Sequence, residues 1–168
     1  MSKNVKIPVS MLRNPAHFLS LGLGSGLSAK APGTAGTVVA VLLFLPMQRL
    51  PAAIYLALLV AAFVLGVWLC GYTTRALGVH DHGGIVWDEF VGYWITMCGV
   101  PAGWYWLVLG FVLFRLFDIW KPWPIKWADQ KVKGGFGIML DDVLAGIWAW
   151  LCLQAIIWIA GIRIAGSI

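Results

Sequence analysis

The chain has 168 residues, of which 61% are hydrophobic and only 11% are charged. Because a soluble domain carries about 25% charged residues, this composition excludes an ordinary soluble globular protein and predicts a membrane protein. The length suffices for one domain, so residues 1–168 are expected to form a single integral-membrane domain. The formal net charge of +5 suits an anionic membrane surface or a phosphate ligand. We expect no nucleic-acid partner, because the basic residues are scattered and form no nucleic-acid-binding motif.

Five apolar segments follow one another along the chain, at residues 36–50, 52–72, 85–100, 104–120 and 138–161. The second, fourth and fifth approach the ~20 residues that a helix needs to cross the hydrocarbon of a bilayer. The first and third are shorter, so each is either a short tilted span or a re-entrant segment. The pattern predicts an all-α polytopic membrane protein, a bundle of about five transmembrane or partly re-entrant helices. The three isolated cysteines within apolar stretches predict buried small side chains rather than a disulfide or metal framework.

The basic residues are distributed unevenly between the two sides that these segments define. If all five segments cross, ten of the twelve lysines and arginines lie on the side of the N-terminus or at that end of a helix. The other side keeps only Arg49 and Arg163. Since cytoplasmic loops carry an excess of basic residues, we expect the N-terminus and the 73–84 and 121–137 loops in the cytoplasm and the C-terminus outside.

All carboxylates of the chain fall on that same side, within one stretch of the sequence. They are Asp81, Asp88, Glu89, Asp118, Asp129, Asp141 and Asp142. The segment bounds place one adjacent pair in the first turn of the third helix, another in the first turn of the fifth, and Asp118 in the last turn of the fourth. Acids at the edge of the hydrocarbon are costly and usually face a bundle interior. Three helices are therefore expected to present carboxylates at a similar depth.

The alternative for these acids is a helix-dipole role, because an anion is favoured at a helix N-terminus. That role explains a single acid such as Asp88, but neither the adjacent pairs nor Asp118 at a helix C-terminus. A divalent cation would neutralise the repulsion, and ligation by oxygen alone suits Mg²⁺. Gly92 and Gly146 follow the two pairs by about one turn. Small residues let membrane helices approach closely, which would bring the carboxylates together.

Three polar segments associated with the side of the membrane that carries the acids have two interpretations each. The glycine-rich stretch 22–37 predicts an oxyanion cradle of backbone N–H groups, or else a flexible interfacial loop; it is no Walker A motif. The basic, aromatic loop 121–126 either pairs with lipid phosphates or anchors the interface. His80 and His82 flank Asp81, and one of them is either a proton donor or part of an exposed polar loop.

Four long motifs together resemble the phosphatidylglycerophosphatase A family. They are GSGLSAKAPGTAGT at 24–37, DHGGIVWDEFVG at 81–92, FRLFDIWKPWPI at 114–125 and GGFGIMLDDVLAG at 134–146. The resemblance spans about residues 14–146 and keeps the family order. It implies a bacterial inner (cytoplasmic) membrane enzyme of phospholipid biosynthesis, which hydrolyses phosphatidylglycerophosphate to phosphatidylglycerol and phosphate with Mg²⁺. Ala29 stands where the family often has proline.

The family's site residues map onto positions of this chain. Its acidic motifs correspond to Asp81, Asp88, Glu89, Asp118, Asp141 and Asp142, and its glycine-rich motif to Ser25, Lys30, Thr34 and Thr37. The chain has neither a cysteine-phosphatase loop nor an Asp-x-Asp pair, which leaves metal-activated water as the expected nucleophile.

We therefore expect a division of roles among these residues. Mg²⁺ would be held by Asp88, Glu89, Asp141 and Asp142. The catalytic residues would be Asp118, Asp88 and Glu89, with Asp118 either a further ligand or the base that orients water. The substrate phosphate would contact Ser25, Lys30, Thr34, Thr37, Arg115 and Lys121.

Two other classes of protein remain open at this level. Membrane carboxylates are also typical of cation transporters, although transporter sites usually lie near the bilayer midplane, whereas these acids lie at one end of the segments. An interaction scaffold would make the acids dispensable. The sequence leaves the number of metal ions and the oligomeric state undetermined.

Overall fold

The computed structural model describes residues 6–79 and 82–161, and within these ranges the chain is helical, without a β-strand. The predicted all-α class is thereby confirmed. The expectations for His80, Asp81 and Arg163 concern residues outside these ranges. Two short 3₁₀ segments are Val9–Arg13 and Gly22–Leu27; the α-helices are α1 (Pro15–Ser20), α2 (Pro32–Met47), α3 (Ala52–Leu77), α4 (Trp87–Thr96), α5 (Trp104–Trp120), α6 (Ile125–Lys131) and α7 (Gly134–Ile159).

Helices α2 to α5 and α7 correspond to the five predicted segments; α5 has the predicted bounds, and the other four have shifted ends. Helix α2 begins at Pro32 rather than at residue 36, because the fixed φ of proline suits the first helical position. Helix α3 continues past residue 72 to Leu77 and ends at Gly78, whose φ of 67° is the left-handed conformation that glycine adopts after a helix.

Two described helices, α3 and α7, are long and apolar enough to cross a membrane by length and composition. Each has 26 residues, whereas α2 is a shorter apolar helix of 16 residues. Helix α4 has ten residues, a length of about 15 Å at 1.5 Å per residue. That length is roughly half the thickness of bilayer hydrocarbon, so the third predicted segment contains only a short internal helix.

Helix α4 lies in the middle of the bundle, in contact with α2, α3, α5 and α7. Hydrogen bonds donated by tryptophan and tyrosine side chains connect α4 to its neighbours. The indole N–H groups of Trp94 and Trp87 donate to the carbonyls of Ala40 in α2 and Ala62 in α3, each at 3.0 Å. The hydroxyl of Tyr55 in α3 donates to the carbonyl of Trp94 at 2.5 Å. These bonds satisfy polar groups within the apolar bundle and fix α4 against its neighbours.

The closest approach between α4 and α7 occurs at two glycines. A Cβ atom on Gly146 would overlap the carbonyl oxygen of Gly92, and a Cβ atom on Gly92 would lie 2.8 Å from the carbonyl oxygen of Asp142. The hydroxyl of Thr96 donates to the Gly92 carbonyl at 3.0 Å and lies 3.4 Å from the Gly146 carbonyl. The expectation that these small residues bring the two helices together is confirmed.

The start of α7 differs from the sequence expectation. The apolar run begins at residue 138, but the helix begins at Gly134. The preceding glycines join the helix because this end is pressed against α3, where a Cβ atom on Gly135 would overlap the carbonyl of Val67 and approach Gly71. Asp141 and Asp142 therefore lie about two turns into α7, and the prediction that they occupy its first turn is wrong.

Candidate active site

Carboxylates from three helices meet at one end of the bundle. Asp88 and Glu89 lie in the first turn of α4, and Asp118 lies in the last turn of α5, as the sequence predicted. Asp142 of α7 is within electrostatic range of these three acids and of its neighbour Asp141. We call this group of five carboxylates the acid cluster. The contact between α4 and α7 at their glycines brings the cluster together, since both acidic pairs lie about one turn before it.

Most of the acid cluster is shielded from solvent. Glu89, Asp141 and Asp142 are 8%, 7% and 3% exposed, respectively. One oxygen of each of these carboxylates has no hydrogen-bond partner among the described residues, namely Glu89 Oε2, Asp141 Oδ1 and Asp142 Oδ2. A buried carboxylate oxygen without a partner is energetically costly, so neutralisation of these acids by a proton or by a cation is favourable.

Arg115 of α5 joins two acids of the cluster. Its Nη1 atom lies 3.3 Å from Glu89 Oε1 and 2.5 Å from Asp118 Oδ2. The start of α2 packs directly on this ion pair, because a Cβ atom on Gly33 would overlap Glu89 Oε1 and lie 3.0 Å from both terminal nitrogens of Arg115. Gly36 bounds the other side of Glu89, with its hypothetical Cβ atom 2.5 Å from Oε2. Glycines in α2 therefore make room for the Glu89–Arg115 pair.

Lys121 bridges two further acids. Its Nζ atom lies 2.7 Å from Asp129 Oδ1 in α6 and 2.6 Å from Asp141 Oδ2 in α7. Burial by itself lowers the pKa of Lys121, but the charges and hydrogen bonds of the two acids outweigh burial and raise its pKa above the ordinary value. The amine is therefore a fixed positive charge. The backbone of Lys121 has a φ of 46°, in the left-handed region that a bulky residue seldom adopts.

The residues predicted to bind phosphate differ in exposure and in hydrogen-bond partners. Lys30 is exposed and Thr34 is half-buried in the first turn of α2. The hydroxyl of Ser25 donates to the Gly22 carbonyl at 2.7 Å, and the hydroxyl of the fully buried Thr37 donates to the Gly33 carbonyl at 2.9 Å. The last two hydroxyls therefore stabilise the local backbone in this structure, and Lys121 contacts acids.

Within the glycine-rich stretch 22–37, the backbone N–H groups at the two ends have different partners. The N–H groups of Gly24 and Gly26 donate to the Leu21 carbonyl at 3.0 and 3.1 Å, so they close the segment's own turns. The first N–H groups of a helix have no intrahelical partner, which leaves those of Gly33 and Thr34 at the start of α2. That start adjoins Arg115, so donors for an anion lie at the helix N-terminus rather than in the preceding glycine turn.

The chemistry of the acid cluster fits Mg²⁺, which takes oxygen ligands and usually binds through one or two carboxylates. The unpartnered oxygens of Glu89, Asp141 and Asp142 are of the chemical type that such a site would use. Among the described residues, no three acid, histidine or cysteine side chains form a ready-made metal site. In this structure the cations beside the acids are Arg115 and Lys121.

The sequence interpretation overlooked one acid with a defined contact. Asp129 lies in α6, outside the family motifs, and its link to the cluster runs through Lys121. The spacing of eight residues gives no signal for this pair, because Lys121 follows the end of α5 while Asp129 lies in α6. The surrounding segment has four lysines between 121 and 133. This excess of positive charge was the sequence feature that could have indicated a lysine partner for Asp129.

An arginine and the first N–H groups of a helix, which lack intrahelical partners, are groups that can stabilise the charge of a transferring phosphoryl group, and here they lie beside a buried acid cluster. This arrangement fits a helical-bundle enzyme of the phosphatase class. The family model described as phosphatidylglycerophosphatase A matches residues 18–157. The chain belongs to the phosphatidylglycerophosphatase A family, as its four motifs predicted.

Two relatives that bear the family's name match this chain over most of their length. The chain is 49% identical to phosphatidylglycerophosphatase A of Escherichia coli (strain K12) over 81% of this chain and 80% of that protein. It is 47% identical to phosphatidylglycerophosphatase A of Haemophilus influenzae over 93% and 97%. A putative phosphatidylinositol-3-phosphatase of Bacteroides thetaiotaomicron is 37% identical over 86% and 94%. No solved structure matches the chain.

Proposed function

We propose that this protein hydrolyses phosphatidylglycerophosphate to phosphatidylglycerol and inorganic phosphate. The observation that carries the proposal is the meeting of five carboxylates with Arg115 and the N-terminus of α2 at one end of the bundle. The two relatives at 49% and 47% identity bear the name of this activity. The relative at 37% is named for a different lipid phosphate, which is likewise a phosphate monoester and is the second candidate substrate.

We place the protein in the bacterial inner (cytoplasmic) membrane as a multi-pass protein with the N-terminus and the site on the cytoplasmic side. The lengths of α3 and α7 and the bias of ten basic residues against two support this placement. The diacyl tails of the substrate would remain in the bilayer while its headgroup reaches the end of the bundle. A lipid substrate is then delivered by lateral diffusion, and the enzyme needs no deep binding pocket for it.

The acids of the cluster are proposed to hold Mg²⁺ through Asp88, Glu89, Asp141 and Asp142. Bound there, Mg²⁺ would supply a nucleophilic water at neutral pH and neutralise charge on the phosphate. Asp118 forms an ion pair with Arg115 through its Oδ2 atom, which leaves its other oxygen to orient the water or to accept its proton. The buried positions of Glu89 and Asp142 would limit the access of bulk water to the reacting group.

The phosphate is proposed to bind at the start of α2. The N–H groups of Gly33 and Thr34, at the N-terminus of a helix, would donate hydrogen bonds to an anion bound there. Arg115 lies against Gly33. Arg115 Nε is buried and has no hydrogen-bond partner among the described residues, so it is a donor still to be used. Lys30, on the exposed turn before α2, would contact the phosphate from the solvent side. Ser25 and Thr37 would then act by shaping this segment.

The experiment that tests the proposal uses purified full-length protein in detergent with three lipid substrates. Phosphate release is measured from phosphatidylglycerophosphate, phosphatidylinositol 3-phosphate and phosphatidic acid. We expect the first to be hydrolysed fastest, activity to disappear in excess chelator, and Mg²⁺ to restore it. Full turnover in chelator would contradict the metal, and faster hydrolysis of phosphatidylinositol 3-phosphate would reassign the substrate. Ion flux in proteoliposomes without phosphate release would favour a transporter.

A further inference from the structure

Lys121 is held by one acid of the cluster and by one acid outside it. Its amine lies at nearly equal distances from Asp141 in α7 and Asp129 in α6. The two acids differ in exposure, since the side chain of Asp141 is 10% exposed and that of Asp129 is 35% exposed. The amine therefore connects a buried carboxylate of the cluster with a carboxylate at its rim.

In this geometry the amine of Lys121 is the positively charged partner of Asp141. Asp141 Oδ2 is occupied by the amine, while Asp141 Oδ1 has no partner among the described residues. A divalent cation that ligates Asp141 meets the positive charge of Lys121 at a distance of a few ångströms, and two like charges this close repel strongly in a partly buried site. Lys121 and the divalent cation cannot both hold Asp141 without a cost in free energy.

We infer that Lys121 is a resident counter-cation that competes with the divalent cation for Asp141, and that Asp129 holds the amine when Asp141 is released. The inference rests on the proposed Mg²⁺ site and adds Asp129 as a positioning residue that acts through Lys121. In the metal-free protein the amine neutralises Asp141. In the metal-bound protein it withdraws to Asp129, already 2.7 Å away, so the exchange requires only one hydrogen bond to break.

The test measures Mn²⁺ affinity of the full-length protein in detergent, with Mn²⁺ as the probe and free Mn²⁺ detected by electron paramagnetic resonance. Lys121→Met removes the competitor, and we expect Mn²⁺ to bind on the order of tenfold more tightly, within the range typical of coupling between two linked binding events. Asp129→Asn removes the alternative partner of the amine, and we expect affinity to fall on the order of tenfold. Lys126→Met, at an exposed lysine of the same segment, is the matched control and should leave affinity unchanged.

A double-mutant cycle separates this exchange from simple long-range attraction of charges. If Asp129 acts through Lys121, then Asp129→Asn has little effect on Mn²⁺ affinity once Lys121→Met is present. If Asp129 attracts the cation directly, the substitution weakens binding by the same factor in both backgrounds, and the inference is overturned. Lys121→Gln, which keeps a hydrogen-bond donor without the charge, replaces Lys121→Met in the cycle if that variant does not fold.

The stability of the metal-free protein gives a second readout. In chelator, loss of the amine leaves Asp141 without its counter-cation, so we expect the Tm of Lys121→Met to fall and saturating Mn²⁺ to restore most of the difference. Unchanged or weaker Mn²⁺ binding by Lys121→Met, with binding by the wild type intact, would overturn the exchange alone. Absence of Mn²⁺ binding by the wild type would instead overturn the proposed metal site, and the exchange with it.

Discussion

Gly146 of α7 lies directly against the backbone carbonyl of Gly92 in α4, at a separation that leaves no room for a Cβ atom. This contact joins the two helices that carry four of the five acids of the cluster. Because these acids lie on the two helices, the distance between the two acidic pairs depends on how closely the glycines let the helix backbones approach. The contact between Gly92 and Gly146 is therefore a structural determinant of the site.

The first prediction tests this contact by adding a single methyl group. Gly146→Ala should force α4 and α7 apart, lower the free energy of unfolding by about 1–3 kcal/mol, as overpacked sites typically do, and reduce phosphatase activity at least tenfold. Gly83→Ala is the control, because a Cβ atom there meets nothing within 4 Å. Thermal unfolding and phosphate release are measured on the same samples. Wild-type activity in Gly146→Ala would show that the close approach is not required.

The second prediction concerns the two adjacent acids of α7, which have different partners. Asp142→Asn removes a buried charge with an unpartnered oxygen, and we expect the metal-free protein to become more stable by about 1 kcal/mol. Asp141→Asn also weakens the ion pair with Lys121, and we expect a loss of stability of about 2 kcal/mol. Both should lower kcat by about 100-fold or more if the acids hold the metal. Near wild-type kcat in both variants would make the cluster structural and the proposed mechanism wrong.

The third prediction concerns Lys30, the exposed lysine before α2. A lysine that touches the phosphate in both the ground and transition states contributes mainly to binding. Lys30→Ala should therefore raise KM with a smaller change in kcat, for a loss in kcat/KM of about tenfold, the lower end for a charged hydrogen bond. Lys6→Ala is the matched control, since Lys6 is also exposed. The measurement is of kcat and KM by steady-state kinetics. A fall in kcat with unchanged KM would exclude a role for Lys30 in binding alone.

The fourth prediction is a dependence of stability on pH that originates at His17, on the short helix α1. His17 is buried, its Nδ1 atom lies 3.0 Å from the hydroxyl oxygen of Thr73, and burial lowers its pKa below the ordinary value of 6.5. The unfolded chain then binds the proton more readily than the folded protein, so His17 contributes stability above pH 6.5 that is lost as the pH falls below that value.

A substitution at His17 isolates this contribution from other titrating groups. His17→Asn retains a polar side chain that does not titrate, and the decrease in Tm between pH 7.5 and pH 5 should be smaller in the variant than in the wild type. The comparison is made in one detergent at constant ionic strength. Parallel pH profiles for the two proteins would assign the pH dependence to other groups.

The fifth prediction concerns the orientation in the membrane. Single cysteines are introduced in a background without the three native cysteines, one in place of Lys126 at the acid-cluster end and one in place of Arg49 between α2 and α3. In intact cells, a membrane-impermeant thiol reagent should label position 49 and leave position 126 unlabelled until the membrane is permeabilised. Ready labelling at 126 in intact cells would reverse the proposed orientation.

The sequence by itself determined the helical class and the end of the bundle at which the acids gather. Both are local properties, because the lengths of the apolar runs predict the helices and the position of each acid relative to the end of its run predicts its depth. Asp118 and the Asp88–Glu89 pair illustrate this, since each lies in the helical turn expected for it. The four motifs likewise sufficed to predict the family.

Only the tertiary structure decided which groups touch. The early start of α7 depends on the contact of Gly135 with α3, which no hydropathy pattern records. The bridge from Lys121 to Asp129 and Asp141 requires a lysine in a left-handed backbone conformation, where sequence rules expect glycine. Such contacts arise from the packing of helices and from reversals of the chain. Their energies depend on residues that are distant in the sequence, so a local sequence pattern does not predict them.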